Sequence, residues 1–172
     1  MFSFKEVNEK IYNDTKDEWE SQISSFAGDI LVTHYHRYLK WAKSYIDGDR
    51  EANTYLYALT HKNKESAVAF VELSHARPNS NAPWLKVLDI HVEPRLDTSE
   101  NIDLHLLAKV ASQAITETLG LTFKEYPSSQ LKVYGTTPLN LDFLEGVASS
   151  CSLEDYRLDI KSQGNWLVIN KS

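Results

Sequence analysis

Cysteine is almost missing: Cys151 stands alone in 172 residues, so no internal disulfide can form and no second thiol offers a zinc or redox pair. Glycine is scarce as well. The six glycines fall at 28, 48, 120, 135, 146 and 164, no two close together, which excludes a Walker-type or Rossmann-type phosphate cradle. No apolar run approaches the roughly 20 residues needed to span a bilayer. The opening Met1-Phe2-Ser3-Phe4-Lys5-Glu6 lacks the apolar core of a signal peptide. A cytoplasmic protein without a membrane partner is expected. Positive charge is in deficit, 18 Lys and Arg against 24 Asp and Glu. The resulting formal charge of −6 repels phosphates, so no nucleic acid is expected among the partners. Low-complexity tracts and internal repeats are lacking too.

What is present is a core. With 42% hydrophobic residues, the chain can bury one domain spanning residues 1–172. Phe2, Phe4 and Val7 begin a strand, and Asn13-Asp14-Thr15 offers helix caps before Trp19, Ile23 and Phe26. A second helix follows Gly28-Asp29, with Ile30, Leu31, Tyr35, Tyr38, Leu39, Trp41, Ala42, Tyr45 and Ile46 on one broad stripe, and Gly48 ends it. The period then changes to that of strands. Residues 55–59 and 66–75 flank a Lys62-Asn63-Lys64 hairpin turn, and Trp84 to Val92, stopped by Pro94, is the most apolar strand.

From Ile102 to Leu119 the apolar residues keep one helical face over five turns, with Gly120 as the stop. Asp97 and Glu100 have the spacing of a capping box for that helix. A strand at 131–134, a helix around 139–148 and a hairpin turning at Ser162-Gln163-Gly164-Asn165 complete the order β, α, α, β, β, β, α, β, α, β, β. The class is α/β, a mixed, mostly antiparallel sheet with helices on both faces.

That order resembles the GNAT superfamily of N-acetyltransferases over about residues 1–172. Its local markers are Leu88-Asp89-Ile90-His91-Val92-Glu93-Pro94, the Leu106-Leu107 pair, Asn140 and the closing strand pair. The resemblance implies that acetyl-CoA or another acyl-CoA is the cofactor and that a small-molecule amine is the acceptor, entering beside the two N-terminal helices. It further implies that Ile90 and Val92 pair with the pantetheine arm, and that Arg95, Thr98, Ser99 and Asn140 contribute to cofactor binding. The family turn that wraps the pyrophosphate is rich in glycine, because backbone N–H groups must approach the phosphate at a helix N-terminus. Here that stretch, Arg95-Leu96-Asp97-Thr98-Ser99-Glu100-Asn101-Ile102-Asp103, has no glycine, and from Glu93 to Asp103 four acids face one base. Where the resemblance implies a glutamate, an acid and a tyrosine for proton transfer, the chain has Lys86, Gly135 and Val147. A GNAT-like protein with acyl-CoA transfer lost or much altered, binding a small molecule or a protein partner or forming a homodimer, is therefore expected. The alternative is an active acyl-CoA-dependent N-acyltransferase with an atypical cofactor loop. A third reading places a cationic ligand such as a polyamine at the acidic turn.

Among side chains that carry chemistry, Asp89 and His91 lie two apart on one strand and share a face. As catalytic candidates they make a carboxylate-oriented histidine that acts as general base; the plain alternative is a pair of locally satisfied polar groups. His34 and His36 diverge by about 200° on a helix, so a shared metal is not expected, and no metal site is expected elsewhere. Tyr35, Tyr38, Trp41 and Tyr45 have the spacing of a core stripe rather than a ligand cage. Cys151, among serines, is expected to be inert, and no Gly-x-Ser-x-Gly elbow supports a hydrolase.

Overall fold

The structure, a computed structural model, describes residues 2–24, 29–98, 103–135, 138–149 and 158–171. Strand periodicity at the start gives β1 (Phe2–Glu6), followed by α1 (Glu9–Ile23) and α2 (Asp29–Ile46). The β-branched and aromatic middle forms β2 (Thr54–His61), β3 (Ala67–Ala76) and β4 (Trp84–Val92). Then come α3 (Pro94–Thr98), α4 (Leu104–Leu121), β5 (Gln130–Tyr134), α5 (Pro138–Ser149), β6 (Leu158–Gln163) and β7 (Trp166–Lys171). The seven strands form one sheet in the order β1-β2-β3-β4-β5-β7-β6, antiparallel except where β4 runs parallel to β5. The expected mixed, mostly antiparallel sheet with helices on both faces is therefore found.

Each face buries a different core. On one, α1 and α2 close over β2 and β3: Trp19, fully buried, packs against Tyr35, Tyr38 and Phe70 and donates its indole N–H to the Ala67 carbonyl at 2.9 Å. On the other, Ala111, Ala114, Ile115 and Leu119 of α4 and Leu144 and Val147 of α5 cover Val71, Leu73, Leu85, Val87, Leu131, Val133, Leu167 and Ile169. The aromatic stripe of α2 is core as expected, with Tyr35, Tyr38 and Tyr45 buried and only Trp41 partly exposed.

Several local expectations are corrected. Helix α1 starts earlier than the Asn13-Asp14-Thr15 signal, because Asn8 caps it by accepting the Ile11 N–H at 2.9 Å. Thr15 is instead buried inside the helix, where its hydroxyl donates to the Ile11 carbonyl and accepts the Ala67 N–H at 2.8 Å. Pro94 does not simply end β4; it opens the extra short helix α3, the first-turn position that proline suits. Asp97 does not cap the long helix. Asp103 does, accepting the Leu106 N–H at 2.9 Å, while Glu100 lies outside the described residues. Gly120 does not stop α4, which runs one residue further before Thr122 takes the C-cap.

The Thr15 hydroxyl accepts the buried Ala67 N–H at the junction of α1 with β3. Thr15→Val should lower unfolding stability by about 1–3 kcal/mol, the cost of orphaning a buried donor, and Thr15→Ser should restore most of it, as read by urea denaturation. Equal losses in both variants would move the effect to packing of the γ-methyl.

Candidate functional site

The placement of every candidate residue follows from one irregularity in β4. In the ladder with β3, Leu73 pairs with Val87 and Glu72 with Asp89, so Leu88 is an extra residue that switches the side-chain parity of the strand. Before it, Leu85 and Val87 point toward α4; after it, Ile90 and Val92 do, and Asp89 and His91 turn to the α2 face. On its other flank β4 pairs with β5 only from Trp84↔Gln130 to Val87↔Val133, while Tyr134, the last residue of β5, pairs only with Trp166 of β7. Residues 88–92 of β4 thus run on beyond the parallel ladder.

The α2 face of this segment carries a recess of 210 Å³ lined by His34, Tyr35, Tyr38, Asp89, Ile90, His91, Val92 and Asp97. The His91 ring stacks on Tyr38 at 3.6 Å, and its Nε2 stands 3.4 Å from Asp89 Oδ2. Burial lowers the His91 pKa, with Asp89 and Asp97 opposing and His34 adding to the shift, so the imidazole is neutral at pH 7. Tyr35 donates its hydroxyl to Asp97 Oδ2 at 3.0 Å, which ties α3 to α2; burial and Asp97 hold that phenol fully protonated. Tyr38 is buried with no hydrogen-bond partner for its hydroxyl among the described residues. Beside Asp89 in the ladder stands Glu72, whose pKa is raised by burial first, then by Asp89 and Glu51. Asp89 and Asp97 thus line one small aromatic-walled space, with Glu72 paired beside Asp89 on β3.

Two solved acetyltransferases share this architecture. A putative ribosomal-protein-serine acetyltransferase from Vibrio cholerae matches with a TM-score of 0.55 and 9% identity, over 99% of this chain and 92% of that one. An N-acetyltransferase from Staphylococcus aureus Mu50 matches at 0.53 and 12%, over 99% and 97%. The chain has the GNAT fold. No protein-family model and no curated protein matches its sequence. One further match, at a TM-score of 0.50 and 13% identity over 98% of this chain and 92% of the other, comes from the KacTA–DNA complex. A GNAT-fold chain thus occurs in an assembly with DNA, and the expectation of no nucleic acid is withdrawn. A net charge averages over the whole surface, whereas a polyanion meets one patch of it.

Within the GNAT fold the expected residues divide. Asp89, Ile90, His91 and Val92 come together at the recess. Arg95 does not point into a free anion site: its guanidinium binds Glu18 Oε1 at 3.1 Å and lies 3.6 Å from Glu93 Oε2. Ser99 lies outside the described residues, as do the side chains of Thr98 and Asn140. Cys151 is likewise undescribed. His34 and His36 are both exposed, and of the two only His34 lines the recess. The three departures from the family pattern have structural causes. Val147 is core, Lys86 lies over the Trp166 ring, and a side chain at Gly135 would meet Leu141 at 2.6 Å. Among the described residues no group of three or more His, Cys, Asp or Glu is placed to hold a metal, and no helix is long and apolar enough to cross a membrane.

Burial also lowers the pKa of His75, so two histidines fold in their neutral form. Their folded pKa values lie below the unfolded value near 6.5, so the stability they contribute is complete above that pH and is lost as pH falls through the folded values. Urea denaturation should show lower stability at pH 5.5 than at 7.5. His75→Gln with His91→Gln should flatten that difference, and an unchanged slope in the double variant would assign the acid sensitivity elsewhere.

Proposed function

We propose that this GNAT-fold protein binds a small cationic amine in the recess between α2 and β4, and that acyl-CoA transfer by the family route has been lost or much altered. One observation supports both halves: the donors that the fold would offer to a cofactor's anions and carbonyl are held by the chain's own carboxylates. Asp103 occupies the Leu106 N–H at the start of α4, Glu18 and Glu93 hold Arg95, and Asp89 Oδ1 accepts the Ile90 N–H at 2.8 Å. A diphosphate there meets filled donors and negative charge. The described residues do not fit coenzyme A at its family position, and no step through it is derived. An ammonium group meets the opposite conditions. Asp89 and Asp97 supply the charge that an ammonium group needs. At 210 Å³ the recess is smaller than the ~300–1,000 Å³ of sites for drug-sized ligands, which suits a short aliphatic amine.

A second reading, the active N-acyltransferase, is favoured by the neutral His91 beside Asp89, an arrangement able to take a proton from an ammonium acceptor.

Thermal unfolding with a series of short diamines and with acetyl-CoA separates the two. Binding of the amine at 100 times its dissociation constant adds about 2.7 kcal/mol, so the midpoint should rise with the diamine and stay fixed with acetyl-CoA. A shift with acetyl-CoA together with thiol release over an amine panel, reduced roughly 100-fold or more in His91→Ala, would instead establish catalysis. Amine affinity should fall on acidification below about pH 6.5. Protonation of His91 adds positive charge to the recess, and protonation of Glu72, with its raised pKa, removes negative charge. Asp89→Asn with Asp97→Asn should weaken binding at least tenfold, measured by calorimetry at constant salt.

A further inference from the structure

The sheet face opposite α4 carries an organised set of cations and rings over β4, β5, β7 and β6 that the amine recess does not use. Ladder register places Lys86 beside Lys132, Lys132 beside Val168, and Val168 beside Lys161, one row across four strands. At the usual strand separation of about 4.8 Å that row spans roughly 14 Å. On one side of it stand Trp84 and Gln130, and on the other Tyr134 and Trp166. The cations lie across the rings: Lys132 Nζ is 4.4 Å and the Arg77 guanidinium 4.7 Å from the Trp84 ring, and Lys86 Nζ is 5.5 Å from that of Trp166. Tyr134, 37% exposed, leans on Trp166 at 5.0 Å.

This arrangement is costly unless something completes it. Like charges on directly paired residues repel, and Lys86 sits beside Lys132 in a chain with a surplus of acids. Yet among the described residues neither lysine, nor Arg77, has a carboxylate partner. Only Lys161, at the edge, is paired, with Asp159 at 3.0 Å. The indole N–H of Trp84 is buried with no acceptor.

We infer that this sheet face binds single-stranded nucleic acid, its phosphates taken by Lys86, Lys132 and Arg77 and a base stacked on Tyr134 beside Trp166. Charge complementarity requires an anionic occupant. An acidic peptide would answer the lysines but has no use for the exposed ring, whereas stacking on aromatic side chains and phosphate neutralisation together are how sheet surfaces hold single strands. A duplex hides its base faces and cannot stack on Tyr134.

The test uses the full chain with fluorescein-labelled U10 and dT10, a duplex of the same length and a decaglutamate peptide, read by anisotropy at 50 mM salt. Either single strand should bind more tightly than duplex and peptide, with tryptophan quenching. Three neutralised phosphates predict a slope of log K against log salt of about −2. Lys86→Ala with Lys132→Ala should weaken binding at least tenfold and flatten the salt slope, and Tyr134→Ala should cost about fivefold or more. Tyr134 is exposed and the two lysines half-buried, and unfolding midpoints of the variants check that they fold. Failure of both strands to bind, equal binding of the duplex or the peptide, or affinity unchanged in the lysine variant would each overturn the inference. Sedimentation showing a dimer that the same lysine variant dissociates, with no oligonucleotide bound, would overturn it in favour of a second copy of the chain.

Discussion

A single extra residue, Leu88, sets the relation between this sheet and its chemistry. Without it, strict alternation along β4 would aim Asp89 and His91 the same way as Leu85 and Val87, into the core beneath α4 and α5. There the unpaired carboxylate and imidazole would meet no water and few partners, at a cost of several kcal/mol. The bulge reverses the parity, so two apolar residues, Ile90 and Val92, continue the core and the two polar ones face α2. The same stretch of β4 is where the parallel ladder with β5 has already ended. Core continuity, the recess and the exposed strand flank therefore depend on one another, and none can be changed alone.

The carboxylates around this segment form a consistent electrostatic pattern. Asp89, Asp97, Asp103, Glu18 and Glu93 each hold a donor of the chain itself: two backbone N–H groups, a phenol and a guanidinium. At the start of α4 the Leu106 N–H is satisfied within the chain, by Asp103. The short helix α3 is part of the device. It is clamped to α1 through Gln22 and Arg95 and to α2 through Tyr35 and Asp97, so residues 94–98 after β4 form a packed element. The surplus negative charge that results has one natural complement, a cation.

Element order and class were legible in the sequence because they depend on hydrophobic period and on chain punctuation, as at Pro94 and Gly164. The positions of caps were less so. Asn8, Asp103 and the Asn13-Asp14-Thr15 cluster all have the right chemistry, and only tertiary contact decides which is used; Thr15 is taken by Ala67 of a distant strand. Asp89 and His91 were visible as polar residues in an apolar strand, but their facing was not, since a bulge leaves no mark in composition. Glu72 was missed although a signal existed: one acid inside the run Ala67-Val68-Ala69-Phe70-Val71-Glu72-Leu73, otherwise fully buried, has to meet something. Tyr35 and Tyr38 were read as core and are core. Their second role, walling the recess, comes from where α2 crosses β4.

The formal charge of −6 misled for a physical reason of the same kind. Acids and bases in this chain are sorted by face and by strand end. In β4 the sequence runs Trp84, Lys86, then Asp89 and His91, and on the face opposite α4 this places a lysine at the paired end and a carboxylate at the unpaired end. Repeated on β5 by Lys132 and bordered on β3 by Glu72, the gradient divides one sheet face into a basic half with tryptophans and an acidic half with tyrosines. Screening confines each half to its own surroundings, because at physiological ionic strength fields fade within about 8 Å. A polyanion proposed for the basic half and an ammonium ion proposed for the recess would then be neighbours without competing, and the average over the molecule describes neither half.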